Sequence, residues 1–452
     1  MTQDPGTNNT GGLKKRALRG TFSSLFIATG GHVLRFVSNL VLTRLLFPEA
    51  FGLMTLVQVI ITGLSLLSTF GLRISVMQSS RGEDPDFLDT AWTLQVIRGG
   101  LLWFVICLLA SPMAAFYDQA LLAQVLPVAG LQLVVQGFFT TKALTVQRNM
   151  QLGRYSIITL SSQFINLSLI SLLAYFLQSV WALVFGLVTG SLLQAVLLQV
   201  FLPGHTNRFR IERDSVREIF KLGKFLFFST VATYVISQSD RAFLGASIPI
   251  DLLGVYGVSY ALATLPTTLA STVANQVVFP LYRMRHPIDG AGNRRKILRA
   301  RRLVAGATLI LTSAMAFVAP PLINLLYDQR YTLAGPITIL LCTANVSIIV
   351  LYGTMNAALA KGDSYRFMMM NIVTAVCQTL LMYVGVATYG IIGAAIAIGA
   401  APLLTYPMLA SYLRRYNNWD AVGDTLLMIA GFTATGFAVW LHRDQISPLL
   451  PS

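Results

Sequence analysis

The chain has 452 residues, of which 55% are apolar and only 11% charged, with a mean hydropathy of +0.66. Soluble domains carry about 25% charged residues, because some surface must always face water. This composition excludes a soluble enzyme or binding module and indicates a polytopic membrane protein. The net charge of +15 sits in short loops between apolar segments, which argues against nucleic acid and for anionic lipid headgroups as the electrostatic partner.

Residues 1–19 read as a disordered, basic N-terminal segment, polar and rich in Gly, Thr and Asn at its start. The first apolar segment has no small-residue cleavage site and reads as a retained helix. Apolar runs of about 20 residues, the length that crosses a ~30 Å hydrocarbon layer, predict about thirteen transmembrane helices. They fall near 20–43, 50–72, 92–111, 122–142, 155–177, 180–202, 223–246, 252–281, 303–326, 334–357, 366–388, 391–413 and 424–441. An all-α fold follows, since lipid offers the backbone no hydrogen-bond partner.

The loops alternate in charge: 26 basic residues fall on one side, against Arg44, Arg241, Arg330 and Arg443 on the other. That asymmetry places the N-terminus in the cytoplasm and, with thirteen spans, the C-terminus outside. The outer loops are too short to fold as domains. The basic inner loop 203–222 divides the chain into an N-lobe over 20–202 and a C-lobe over 223–413, with an extra helix and tail over 414–452. Thr43-Arg-Leu-Leu-Phe-Pro-Glu and Asp240-Arg-Ala-Phe-Leu-Gly-Ala-Ser-Ile-Pro each place an arginine before a proline-containing turn. Gln151-Leu-Gly-Arg-Tyr and Lys361-Gly-Asp-Ser-Tyr each open the fifth helix of a set of six. Six is even, so both sets start on the same side and form a parallel repeat, with a pseudo-twofold axis along the membrane normal and a central cavity.

Ionisable residues within spans are functional candidates, because burying one costs at least ~2.5–3.5 kcal/mol. In helix one His32, Arg35, Asn39 and Thr43 share a face; in helix seven Thr230, Thr233, Tyr234, Ser237 and Arg241 do. Under the twofold these two helices line the cavity from opposite sides, so Arg35, Arg44 and Arg241 converge there with His32 and Asn39. The competing assignment is arginines snorkelling to headgroups, which is favoured for Arg98 and Lys142. Asp240, the one carboxylate placed inside a span, pairs with Arg241 or another arginine, with a coupling-ion role as the alternative. Pro266 in helix eight is either a hinge or a proline that its neighbours accommodate. A cationic cavity suits an anionic solute, and the guanidinium fork holds phosphate oxygens without losing its charge. There is no phosphate-binding Gly-x-x-x-x-Gly-Lys-Ser/Thr loop, so ATP is not the direct energy source. Cys107, Cys342 and Cys377 lie in apolar segments without ligand or redox spacing. No cofactor, metal or catalytic group is expected.

Four passages carry a family resemblance: Leu40-Val-Leu-Thr-Arg-Leu-Leu-Phe-Pro-Glu-Ala-Phe-Gly-Leu; Lys142-Ala-Leu-Thr-Val-Gln-Arg-Asn-Met; Ile219-Phe-Lys-Leu-Gly-Lys-Phe with Ser239-Asp-Arg-Ala-Phe-Leu-Gly; and Leu253-Gly-Val-Tyr with Ala261-Leu-Ala-Thr-Leu-Pro. Here the chain resembles the polysaccharide transporter family, the Wzx-type flippases of the multidrug/oligosaccharidyl-lipid/polysaccharide (MOP) superfamily, over helices one to eight. The resemblance implies two six-helix lobes, a MATE-like fold and alternating access. It also implies passage of undecaprenyl-pyrophosphate-linked glycans across the inner membrane for capsule, exopolysaccharide or O-antigen export. By position, Arg35, Arg44 and Arg241 are then the pyrophosphate ligands. Lipid-linked glycan and polysaccharide polymerase or export proteins are the implied partners. The thirteenth helix departs from the twelve or fourteen of many relatives. A cation-coupled drug exporter of the same superfamily is the alternative, but it predicts carboxylates within helices one to six, where none is placed. A membrane enzyme of polysaccharide assembly would need larger outer loops.

Overall fold

The computed structural model describes residues 30–450 except 32, 69–71, 150–151, 275–277 and 285, and every element among them is helical. The predicted N-terminal segment 1–19 and the start of the first helix lie outside the described residues. The first eight helices are α1 (33–45), α2 (Pro48–Leu67), α3 (Leu72–Gln78), α4 (Pro85–Phe116), α5 (Leu122–Gly137), α6 (Lys142–Arg148), α7 (Leu152–Leu177) and α8 (Val180–Phe201). They are followed by α9 (Arg213–Gly245), α10 (Ile250–Val273), α11 (Phe279–Met284), α12 (Ala291–Leu326), α13 (Ala334–Leu351), α14 (Asn356–Ala360), α15 (Ser364–Leu404), α16 (Tyr406–Arg415), α17 (Ala421–Leu441) and α18 (Arg443–Ile446).

Among the described residues nine helical stretches are long and apolar enough to cross a bilayer, or ten with α5 and α6, bent by 59° at their junction, taken as one span. The difference from thirteen has local causes. Residues 364–415 count as one stretch, yet α15 turns back at Gly390, whose φ of +54° suits a residue without Cβ. Its two legs approach so closely that a Cβ on Gly393 would lie 1.8 Å from the Gly385 carbonyl oxygen. The long α9, which starts in the basic linker, is not among the nine, and part of the first helix lies outside the described residues.

The helices form two bundles. In the first, α4, α5, α7 and α8 pack together with α2; in the second, α10, α12, α13, α15 and α17 do. The bundles meet where α2 packs on α10 and where α9 runs between α2 and α15. At the end away from the basic loops the α2–α10 contact is closed backbone to backbone. A Cβ on Gly52 would lie 1.8 Å from the Ile250 carbonyl oxygen, and one on Gly254 1.9 Å from that of Pro48. Phe51 meets Tyr331 edge-on at 6.3 Å, and Arg330 stacks over Phe47 at 4.7 Å, completing this seal.

At the opposite end the basic linker is bound along α4 rather than free. Backbone amides of Arg208, Arg210 and Glu212 donate to Asp89, Thr93 and Thr90, and His205 contacts Asp89 at 2.8 Å. Arg81 bridges Asp84 and Glu212. The helix after the linker starts at Arg213, ten residues before the predicted 223. The cause is amphipathic: Ile219 is buried against Leu72, Val76, Phe87 and Leu88 of the first bundle.

Candidate functional site

Between the bundles lies a cavity of about 480 Å³. α1 contributes Arg35 and Asn39, α2 contributes Thr55 and Gln58, α9 contributes Arg241, and α10 contributes Tyr260, Thr264 and Thr268. Arg35 and Asn39 are four residues apart, one helical turn, and therefore share a face. Arg35 is exposed, and among the described residues no carboxylate pairs with it.

Arg241 is held more firmly. Its Cζ lies 3.7 Å from the centre of the Tyr260 ring, a cation–π contact, and its Nη1 donates to Gln238 Oε1 at 3.0 Å. Asp240 is 2% exposed; its Oδ2 accepts from the Tyr256 hydroxyl at 2.6 Å and lies 4.0 Å from Arg241 Nε. Asp240 Oδ1 and Arg241 Nε have no hydrogen-bond partner. The carboxylate is thus engaged by Tyr256 and offsets Arg241 from the side, without the bidentate clasp that would close the guanidinium to a ligand. With no carboxylate beside Arg35 among the described residues, the cavity keeps a positive balance, which attracts anions.

Tyr260, Thr264 and Thr268 also face a second cavity of about 520 Å³ inside the second bundle, lined further by Ser237, Thr267, Ser271, Thr308 and Arg301. Arg301 is buried in α12: its Nη2 donates to Asp424 Oδ1 at 3.1 Å and its Nη1 to the Asn418 carbonyl at 3.0 Å. In the sequence Arg301 falls just before the predicted span 303–326, but the helix begins at Ala291 and buries it.

Of the expected site residues, Arg35, Asn39 and Arg241 share one cavity. Arg44 is elsewhere: it is exposed and donates to the Leu326 carbonyl at 3.3 Å, in the seal between the bundles. His32 lies outside the described residues. The helix-seven stripe divides, with Ser237 lining the second cavity and the Tyr234 hydroxyl donating to the Val59 carbonyl of α2 at 3.0 Å. Arg98 and Lys142 do not snorkel. Arg98 bonds Ser68 and the Ser65 carbonyl at the end of α2, and buried Lys142 donates to the Gln199 carbonyl at the end of α8. Helix C-termini leave carbonyls unpartnered and favour cations, which explains both positions. Gln58, Tyr260 and Thr264 were missed; the local signals were a glutamine in mid-span and the four-residue spacing of Tyr260, Thr264 and Thr268.

The model of the polysaccharide biosynthesis protein family matches residues 41–336. The chain belongs to this family. The chain is 20% identical over 281 residues to the teichuronic acid biosynthesis protein TuaB of Bacillus subtilis, covering 61% of the chain and 57% of TuaB. It is 22% identical over 329 residues to the succinoglycan biosynthesis transport protein ExoT of Rhizobium meliloti, covering 72% of the chain and 65% of ExoT. The matches thus span less than two thirds of either relative's length. Among solved structures, the lipid II flippase MurJ in an inward closed conformation superposes with a TM-score of 0.69 at 12% identity, covering 95% of the chain and 100% of MurJ. An inward-facing MATE family transporter of the MOP superfamily gives 0.60 at 12% identity, covering 85% and 96%. The fold is the one these two structures share, with two helical bundles about a central cavity.

Proposed function

We propose that this protein is a flippase that moves undecaprenyl-pyrophosphate-linked oligosaccharide across the inner membrane by alternating access, serving capsule, exopolysaccharide or O-antigen export. The observation that carries the proposal is the cavity between the bundles, where among the described residues no carboxylate pairs with Arg35 and the one beside Arg241 is engaged by Tyr256. The naming of ExoT as a transport protein and of MurJ as a lipid II flippase supports it. No covalent chemistry is involved, and the cationic cavity needs no cofactor to hold a pyrophosphate.

In this mechanism Arg35 and Arg241 take the pyrophosphate from the cytoplasmic side while the prenyl tail stays in lipid. Hydrogen bonds from charged donors contribute about 1.5–3 kcal/mol each, enough for capture but weak enough for release. The lobes 20–202 and 223–413 then rock about the linker 203–222, the α2–α10 seal parts, and the glycan faces the periplasm. The charge asymmetry of the loops supports a cytoplasmic N-terminus, an outward-facing sealed end and a periplasmic C-terminus. The free Oδ1 of Asp240 supports a coupling-ion role beside its pairing with Arg241. Polymerase or export proteins receive the product. Arg35→Ala and Arg241→Ala are expected to abolish polysaccharide export in a complementation assay; full export by both variants at normal protein levels would sink the cavity role.

A further inference from the structure

Inside the first bundle, between α1, α5, α7 and α8, lies a separate cavity of about 340 Å³ walled by Gln132, Gln136, Gln163, Asn166 and Gln194. Among the described residues none of these five carboxamides makes a side-chain hydrogen bond. Oε1 of Gln132, Oε1 of Gln163 and Oδ1 of Asn166 are buried without partners. Amides that join helices in this chain behave differently. Gln95 donates to the Gln136 carbonyl at 2.9 Å, Asn345 to that of Ala263 at 3.1 Å, Gln378 to that of Ile236 at 2.9 Å, and Asn418 to that of Thr354 at 3.0 Å. A buried amide without a partner costs about 1–3 kcal/mol, so a cluster of them in one cavity calls for something that answers them. Asn166 also depends on its neighbour: a Cβ on Gly190 of α8 would lie 2.5 Å from its Nδ2 and 2.8 Å from its Oδ1. The bare backbone there is what leaves room for the carboxamide at the wall.

A carboxamide donates and accepts without charge, the same two roles a sugar hydroxyl plays. The single charged residue described on this wall is Arg35, which also lines the cavity between the bundles. An anion held by Arg35 in the central cavity therefore places its next group at the mouth of the amide cavity. The volume lies at the small end of ligand sites, suited to a sugar rather than a chain. We propose that the amide cavity is a subsite for a neutral sugar, the residue next to the pyrophosphate of the lipid-linked glycan. The inference rests on the flippase reading for the pyrophosphate and adds recognition of the glycan.

The test uses the full chain in lipid nanodiscs and two kinds of probe. One is a short-chain prenyl pyrophosphate; the other is the same compound carrying one glucose, galactose or N-acetylglucosamine. Two neutral hydrogen bonds predict that at least one glycosylated probe binds wild type about tenfold tighter than the bare probe. Gln163→Met combined with Asn166→Leu should cut that advantage to below about threefold while leaving bare-probe affinity unchanged, which also shows the variant is folded. Gln194→Met, on α8, should move the advantage in the same direction. Retention of the full advantage in the double variant, or equal binding of all probes by wild type, overturns the sugar subsite and leaves the pyrophosphate site standing. Failure of wild type to bind any probe overturns both.

Discussion

Gly254→Ala tests whether the α2–α10 contact is the outer gate. The added Cβ would lie 1.9 Å from the Pro48 carbonyl oxygen and 2.9 Å from the Gly52 nitrogen, both backbone atoms that no rotamer change can move. Ordinary contact begins at 3.4 Å, so the helices must part by 1.5 Å at this point. Overpacking of this kind costs about 1–3 kcal/mol, and here the strain exists only while the seal is closed. The ratio of open to closed molecules should therefore rise by about 5- to 150-fold. The assay replaces Cys107, Cys342 and Cys377, introduces Gln58→Cys in the cavity wall, and follows labelling by a membrane-impermeant maleimide added outside intact cells. Gly254→Ala should speed labelling, whereas Gly100→Ala, where a Cβ meets nothing within 4 Å, should leave it unchanged. Equal labelling of the parent and Gly254→Ala at equal protein levels would refute the gate.

Arg301→Met strands Asp424 as a buried charge and should destabilise the protein by about 3–5 kcal/mol, read as a fall in melting temperature; Arg301→Met with Asp424→Leu should recover most of it. Tyr256→Phe removes the donor from Asp240 Oδ2 at a cost of about 1–3 kcal/mol, and should weaken pyrophosphate binding as Arg241 turns to the freed carboxylate. The linker latch predicts a pH dependence. Hydrogen bonds from Arg81 to Asp84, and from Ser215 and Arg81 to Glu212, hold both carboxyls below their ordinary values of 3.8 and 4.5. Because the folded values are depressed, their contribution is fully present above pH 4.5 and is lost as pH falls through the folded values. Thermal stability should decline on that acid limb, and Arg81→Leu should flatten it; an unchanged acid limb in Arg81→Leu contradicts the latch.

The helices were legible because each apolar run of bilayer length leaves its backbone no other way to bond. Arg35, Asn39 and Arg241 were legible for a related reason, since polar residues recurring at one-turn spacing on an apolar helix need a non-lipid neighbour. What failed were inferences that needed neighbours in space. Arg213 to Ile219 looked like loop because of its charge, yet Ile219 finds an apolar partner surface on the first bundle that only the tertiary fold supplies. Arg44 was matched to Arg241 by the repeat, but it emerges at the very end of α1, beyond the cavity and against the Leu326 carbonyl. Gln132 and Gln136 on α5, and Gln163 and Asn166 on α7, do recur at one-turn spacing, but only packing brings the two pairs to one wall.

The most direct test of the central claim is transport in vesicles reconstituted with the purified protein and a fluorescent sugar-pyrophosphate-prenyl lipid. An impermeant quencher added outside reports how much inner-leaflet probe becomes exposed. Wild-type vesicles should expose it far faster than protein-free ones, and Arg35→Ala with Arg241→Ala should return the rate to the protein-free level. Transport by that double variant at the wild-type rate, or none by wild type, would contradict the account.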